Sequence, residues 1–190
     1  GLSDAVTIYV GHSEDAIPHL REVCGGLAAD AIFFDQKGTR FHIDLQALEA
    51  HGMLADGCVV AADNVLKPGA PHFLWLLQTC EQYDLTVVSL EEFAAGKIED
   101  WMSLARHRPG SGPSRLGADY PEALTELAFQ TDRARAKSCN GDTPGEVGED
   151  EWACHSQELR RSYAAAGICP RIIHAGRRED GSPFVDWRGD

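Results

Sequence analysis

The sequence has no apolar run close to the roughly 20 residues that a membrane-spanning helix needs, and no secretory signal opens it. It is also poor in basic residues, since 17 Lys and Arg stand against 30 Asp and Glu, for a net charge of −13. Nucleic-acid binding relies on clustered Lys and Arg, so no nucleic-acid partner is expected. We therefore expect no membrane span and a cytoplasmic location, or an organellar one if an upstream targeting segment was removed.

The chain also lacks any C-x-x-C pair. Its cysteines are scattered along the sequence, at Cys24, Cys58, Cys80, Cys139, Cys154 and Cys169. This usage predicts free thiols in a reducing compartment rather than disulfides. With 190 residues, 43% of them hydrophobic, the chain is long enough for one domain with a sizeable core, or for one domain and an appendage.

The most informative stretch is residues 57–71, G-C-V-V-A-A-D-N-V-L-K-P-G-A-P. Residues 58–62 are a short apolar run typical of a buried parallel strand, and the run stops at Asp63 and Asn64. Ligands of open α/β sheets bind outside the carboxyl ends of the strands, so these two side chains are candidate site residues. Alternatively, they cap a turn by bonding local backbone. Pro71 predicts the start of a helix reaching about residue 83.

A second apolar run, residues 31–34, stops at Asp35. If residues 39–51 form a crossover helix, Asp35 and Asp63 lie at the same edge of neighbouring parallel strands. Two carboxylates and the amide oxygen of Asn64 would then converge. Such hard oxygen donors suit Mg²⁺.

Periodicity predicts the remaining elements. Ser13 can cap the helix that follows the first strand, and residues 101–105 fit either an antiparallel strand or a short helix. We expect strands at 6–10, 85–90 and 171–174 and helices at 120–137 and 149–166. The Pro/Gly/Ser-rich residues 108–118 predict a linker between a first unit, 1–107, and a mainly helical extension of unknown role, 119–190.

Three motifs in this order resemble the catechol O-methyltransferases: V-T-I-Y-V-G-H-S-E-D-A-I-P-H-L at residues 6–20, F-F-D ending at Asp35, and A-D-N-V-L-K-P-G-A-P at residues 62–71. The resemblance runs from about residue 2 to about 83, and loosely to about 108. It implies an α/β fold with a partial Rossmann-like methyltransferase sheet and flanking helices. It also implies S-adenosylmethionine and Mg²⁺ as cofactors, and a small catechol-like diol as substrate.

The resemblance also implies roles for individual residues. Asp35, Asp63 and Asn64 would hold the metal; Ser13, Glu14 and Asp35 would contact the cofactor; Asn64, Pro68 and Glu91 would contact the substrate; Lys37 would be the catalytic base. The sequence departs from the family pattern at two of these places. The family lysine stands three residues after the first aspartate, where this chain has Gly38, and Gln36 and Lys37 replace aromatic residues that wall the ring.

The glycine-rich cofactor loop and the acidic ribose-binding residue of this family are not visible in the sequence. We therefore expect the chain to be the C-terminal part of such a domain, completed by a missing N-terminal half or by a partner chain. Two functions remain open at this point. One is an O-methyltransferase acting on catechol-like diols, and the other is a degenerate methyltransferase fold that serves as a scaffold or assembly subunit.

Overall fold

Six strands form one mixed sheet in the computed structural model, in the order β1-β2-β4-β3-β5-β6. The model describes residues 3–92, 98–108, 110, 119–140, 147–178, 180 and 182–186, so most of the predicted linker at 108–118 lies outside the described residues. The strands are β1 (Ala29–Phe34), β2 (Leu54–Ala62), β3 (Tyr83–Glu91), β4 (Glu99–His107), β5 (Arg171–Arg177) and β6 (Pro183–Asp186). The predicted α/β class with a Rossmann-like sheet is confirmed.

Within the described residues, five longer helices flank the sheet: α1 (Ser13–Val23), α2 (Phe41–Ala50), α3 (Pro71–Thr79), α4 (Glu122–Asn140) and α5 (Glu149–Ala165). A short turn of helix, Val65–Gly69, connects β2 to α3. None of the helices in the described part of the chain is both long and apolar enough to cross a membrane. All six cysteines are free thiols, as predicted.

The strands β1 and β2 pair in parallel, with Phe34 opposite Ala62. The crossover between them is α2, which begins at Phe41 and packs Leu45 and Leu48 into the core. This is the β-helix-β unit that the apolar runs predict. The open choice for residues 101–105 is resolved, because β4 runs antiparallel to both β2 and β3.

The prediction of a strand at residues 6–10 is wrong. These residues have no regular structure, and Ile8 and Val10 are 82% and 98% exposed. A strand needs a neighbour to take up its backbone hydrogen bonds, and no described strand pairs with this segment. A high β-propensity alone therefore does not make residues 6–10 a strand.

The residues after 119 take part in the same sheet and core. β5 pairs in parallel with β3, with Val87 opposite Ile172, and β6 pairs with β5. Leu124 of α4 and Tyr163 of α5 are fully buried. This region therefore holds two strands as well as the two predicted helices.

An aromatic cluster joins α2, α3 and the start of α4. The rings of His42 and His72 stack with centroids 4.8 Å apart, and Tyr120 meets both edge-on. The Nδ1 atoms of both histidines are buried without a hydrogen-bond partner among the described residues. Burial, followed by the charges of His72 and Arg40, lowers the pKa of His42 from 6.5 to about 4.

We expect this cluster to weaken the fold in acid. Because the pKa of His42 is lower in the folded than in the unfolded chain, the unfolded chain binds more protons between pH 6.5 and about 4. The His42 contribution to the free energy of unfolding is therefore complete above pH 6.5 and lost as the pH falls through this window. Measured by urea unfolding, the free energy of unfolding of His42→Phe should depend less on pH than that of the wild type. The control, His51→Phe, changes an exposed histidine and should keep the pH dependence of the wild type. Equal pH dependence in all three proteins would contradict this assignment.

Candidate functional site

Asp35 and Asp63 follow directly after the paired ends of β1 and β2. Phe34 and Ala62 are register partners, and the backbone N–H of Asp63 donates to the carbonyl oxygen of Phe34 at 3.0 Å. The two predicted metal ligands are thus anchored at adjoining strand ends by main-chain hydrogen bonding. Their placement follows from the parallel pairing of two strands that end at the same level, with Phe34 opposite Ala62.

Asn64 is held in a fixed orientation beside them. Its backbone lies in the left-handed region, with φ of 57°, where asparagine is among the residues best tolerated. Its N–H donates to Oδ1 of Asp63 at 2.9 Å, and its side-chain Nδ2 donates to Oδ2 of Asp100 at 2.8 Å. Since the amide nitrogen is bound to Asp100, Oδ1 is the atom of this side chain left for a cation.

Asp100 on β4 holds the side chain of Asn64 in this orientation. It is 1% exposed, and its carboxylate also accepts hydrogen bonds from the backbone N–H groups of Lys67 and Trp101 at 2.8 and 2.7 Å. Burial raises its pKa from 3.8 to about 6, against the opposing effect of these donors. Sequence reasoning missed Asp100. Asp100 shares its side of β4 with the less buried Met102, Leu104 and Arg106, so the alternation of the strand gave no signal for it.

A cavity of about 190 Å³ opens next to these strand ends. One part of its wall comes from the predicted region: Asp35, Gln36, Gly38, Phe41, Asn64 and Pro68. The other part comes from α4 and α5: Arg135, Ser138, Cys139 and Trp152. Two predicted metal ligands and the predicted substrate contact Pro68 therefore share one cavity, and the helices after residue 119 complete it.

A second cavity, of about 670 Å³, contains the predicted cofactor contacts Ser13 and Glu14. Ser13 does not cap α1, because His12 occupies the cap position; its hydroxyl donates to Oδ1 of Asp44 at 2.7 Å. The side chain of Gln36 donates to the other oxygen of Asp44, also at 2.7 Å. Because Gln36 lines both cavities, the two are neighbours.

Lys37, the predicted base, lines the larger cavity. Its Nζ donates to Oδ2 of Asp132 on α4 at 2.8 Å, and the hydroxyl of Thr39 donates to the other oxygen of the same carboxylate at 2.8 Å. The ammonium group of Lys37 is therefore engaged in an ion pair with the helix that covers the site.

Gly38 explains why the family lysine cannot stand at its usual position. A Cβ atom on Gly38 would lie 2.2 Å from the carbonyl oxygen of Gly69 and 3.3 Å from Cβ of Ala70. No side chain fits in this contact between two backbone segments. The departure from the family pattern is thus built into the packing of the Val65–Gly69 turn.

The predicted substrate contact Glu91 is exposed at the end of β3, and it borders cavities other than the one that holds Asn64 and Pro68. Its neighbour Glu92 forms an ion pair with Lys67. Lys67 is 9% exposed, and its Nζ lies 4.9 Å from the ring centroid of Trp152. Of the two glutamates, Glu92 is the one tied to the Val65–Gly69 turn.

Two residues of α5 hold this turn in place. The hydroxyl of Tyr163 donates to the carbonyl oxygen of Val65 and accepts from the N–H of Ala70, both at 2.9 Å. A ring nitrogen of His155 lies 2.9 Å from the carbonyl oxygen of Pro68. The position of Pro68 in the smaller cavity therefore depends on α5.

We expect Tyr163→Phe to lower the free energy of unfolding by about 2 kcal/mol, because it removes two buried hydrogen bonds to the turn, while the N–H of Ala70 keeps its bond to the carbonyl oxygen of Val65 at 3.0 Å. The matched control is Tyr120→Phe. The Tyr120 hydroxyl accepts a single bond from the side chain of Gln46, at 3.1 Å, so we expect a loss of about 1 kcal/mol or less. Urea unfolding measures both. Equal losses in the two variants would contradict the role given to Tyr163.

The metal fit rests on the donor set itself. Among the described residues, no group of three or more His, Cys, Asp or Glu side chains is placed to hold a metal ion. The candidate set is two carboxylates and one oriented amide oxygen, and Mg²⁺ accepts such sparse sets because it retains several waters or substrate oxygens. The residues present therefore fit magnesium better than a metal that prefers nitrogen or sulfur.

Comparison with known proteins adds to this geometry. The chain is similar to catechol O-methyltransferase of Bos taurus, 34% identical over 115 residues, which cover 60% of this chain and 42% of that protein. It is also similar to catechol O-methyltransferase of Sus scrofa, 41% identical over 86 residues, covering 45% of this chain and 46% of that protein. These similarities support a catechol O-methyltransferase-like family for about half of the chain.

A third relative is the transmembrane O-methyltransferase of Homo sapiens, 44% identical over 78 residues, which cover 41% of this chain and 27% of that protein. No family model matches the chain. The chain spans less than half the length of these relatives. The similarity therefore covers only a part of each of these three relatives.

Proposed function

We propose that the chain forms the metal- and acceptor-binding part of an O-methyltransferase that transfers a methyl group from S-adenosylmethionine to one hydroxyl of a catechol-like diol. The observation that supports the proposal is that Asp35, Asp63 and Asn64 follow directly after two adjoining strand ends, with the amide of Asn64 bonded to Asp100. Similarity to curated O-methyltransferases supports the reaction class.

In this proposal Asp35, Asp63 and Oδ1 of Asn64 hold Mg²⁺. When bound, magnesium supplies a positive charge that lowers the pKa of the acceptor hydroxyl. Pro68 and Trp152, which line the same cavity, flank the ring and exclude water. Asp100 keeps the amide oxygen of Asn64 turned toward the site. Fixed positioning of the acceptor oxygen is the main contribution expected of these residues.

The cofactor would occupy the larger cavity, with Ser13 and Glu14 in contact and Asp35 near the boundary with the acceptor. Lys37 is the proposed proton acceptor for the substrate hydroxyl. Its Nζ is bound to Asp132 as an ammonium group in the structure, so this role requires the ion pair to open and the ammonium group to release a proton to solvent before it takes the proton of the acceptor hydroxyl. Glu91 remains the proposed contact to the second hydroxyl, and Glu92 is the alternative that the ion pair with Lys67 favours.

We expect Asp63→Ala, in the full-length protein, to remove Mg²⁺ binding and to lower methyl transfer to catechol by a factor of at least about 1,000, since it deletes a charged ligand of the metal. Calorimetry measures Mg²⁺ binding, and transfer of a labelled methyl group measures activity. Asp56→Ala, a change in β2 away from its carboxyl end, is the control and should leave both unchanged. A full-length protein that binds neither Mg²⁺ nor S-adenosylmethionine would overturn the proposed function.

The alternative of a scaffold or assembly subunit is favoured by one observation. Val6, Ile8 and Val10 present apolar side chains that are 63%, 82% and 98% exposed, a pattern more typical of a segment that pairs with another strand. If this segment binds a partner, the chain should form a defined complex in sedimentation experiments. A monodisperse monomer with Mg²⁺-dependent activity would exclude the alternative.

A further inference from the structure

Two polar side chains on α4 line the smaller cavity. Arg135 and Ser138 both line this cavity, and they are three positions apart, which places them on the same face of a helix. Both are half-buried. Within the part of the chain that the structure describes, neither side chain has a hydrogen bond or an ion pair.

The neighbouring charges on the same helix are already engaged. Lys137 pairs with Glu151, and the guanidinium of Arg133 lies 5.9 Å from the ring centroid of Phe129. Asp132, the acidic residue one turn before Arg135, accepts from Lys37 and Thr39. The guanidinium of Arg135 is therefore available in the cavity for an anion that a ligand supplies, beside the carboxylate of Asp35 that the proposed metal would engage.

We infer that Arg135 and Ser138 bind a carboxylate on the acceptor, so that the preferred substrate is a diol ring bearing an anionic group rather than catechol itself. The inference rests on the proposed function, because it takes the smaller cavity as the acceptor site. Arginine presents parallel N–H donors that match a carboxylate in a bidentate manner. The Ser138 hydroxyl adds a third donor on the same face.

The size and lining of the cavity fit such a ligand. Its volume of about 190 Å³ exceeds the roughly 150 Å³ of an engineered cavity that binds benzene, which leaves room for small substituents on one ring. Asp35 and Asn64, the proposed metal ligands, lie at strand ends, whereas Arg135 lies on α4. The diol would therefore bind at the strand ends, and the carboxylate of the same ring would bind to α4.

The position of Arg135 also distinguishes the acceptor from the cofactor, since S-adenosylmethionine carries a carboxylate as well. Arg135 lines the smaller cavity with Asn64 and Pro68. It does not line the larger cavity, which holds the cofactor candidates Ser13 and Glu14. The anion that it binds therefore belongs to the acceptor.

The test is calorimetric binding of catechol and of protocatechuate, the same diol ring with a carboxylate, to the full-length protein with Mg²⁺ and without cofactor. We expect protocatechuate to bind about 10- to 100-fold more tightly than catechol, the range of a hydrogen bond to a charged group. Arg135→Gln should remove this advantage and leave catechol binding unchanged. Arg133→Gln, which changes a cation on the exposed side of the same helix, should alter neither ligand.

Each other outcome has a definite reading. If catechol binds but protocatechuate has no advantage, or if Arg135→Gln leaves the advantage intact, this inference is overturned and the proposed function stands. If Arg135→Gln weakens the binding of S-adenosylmethionine in a parallel titration but not the binding of protocatechuate, then Arg135 binds the carboxylate of the cofactor and the inference is wrong. If neither diol binds in the presence of Mg²⁺, both the inference and the proposed function are overturned.

Discussion

Asp100→Asn should lower Mg²⁺ affinity by about 10- to 100-fold, the loss typical of removing a residue that orients a metal ligand. The new amide keeps one oxygen for the backbone N–H groups of Lys67 and Trp101, which now bind Oδ1 of Asp100. It then places an NH₂ group against Nδ2 of Asn64, which now donates to Oδ2 of Asp100. Two donors repel each other, so the amide of Asn64 is expected to turn over and present its NH₂ group to the cation.

A second substitution should reverse the effect. Asn64→Asp in the Asp100→Asn background supplies a carboxylate that accepts from the new amide and directs its other oxygen toward the site. We therefore expect the double variant to recover most of the lost affinity. Asn64→Asp alone places two carboxylates face to face and should destabilise the fold.

Calorimetry with Mg²⁺ on the full-length protein, with urea unfolding as the control for folding, measures this cycle. A loss of affinity in Asp100→Asn that the second substitution does not restore would show that Asp100 acts through general stability instead. Unchanged affinity in the single variant would show that the orientation of Asn64 does not matter for the metal.

Gly38→Ala should be strongly destabilising, with a loss of about 3 kcal/mol or more from the free energy of unfolding. Its Cβ would lie 2.2 Å from the carbonyl oxygen and 3.1 Å from the carbonyl carbon of Gly69. These atoms belong to the backbone and cannot rotate away. The Val65–Gly69 turn would have to shift, although Tyr163 holds its ends.

The control for Gly38→Ala is Gly11→Ala, because a Cβ at Gly11 meets no atom within 4 Å and its φ is not positive. That variant should change the free energy of unfolding by no more than about 0.5 kcal/mol. Urea unfolding of both variants decides the matter. Equal free energies of unfolding would mean that the backbone at Gly38 lies further from the backbone at Gly69 than in this structure.

The part of the site nearest the two parallel strands could be predicted from sequence. Apolar runs that stop at Asp35 and Asp63 define strand ends, and parallel pairing brings such ends together. The resemblance to the catechol O-methyltransferases points to the same residues. Local pattern and family likeness agree here because both reflect the same requirement, a pair of parallel strands whose ends open onto a polar edge.

The remainder could not be predicted, because it depends on contacts between distant segments. Arg135 and Trp152 lie about a hundred residues after Asp35 in sequence and reach the cavity through the packing of α4 and α5. Nothing in the local sequence of α4 marks Arg135 as different from Arg133. The segment at residues 6–10 shows the reverse case, since strong strand propensity gave no strand where no neighbour was present.

The central claim is that oxygen atoms of Asp35, Asp63 and Asn64 hold one divalent cation. The most direct measurement is anomalous X-ray diffraction from crystals of the protein soaked with Mn²⁺, a stand-in for Mg²⁺ that scatters anomalously. We predict a single strong peak in contact with these three side chains, at the mouth of the smaller cavity, and no peak there in Asp63→Ala. A peak elsewhere, or none with the wild-type protein at saturating Mn²⁺, would contradict the account.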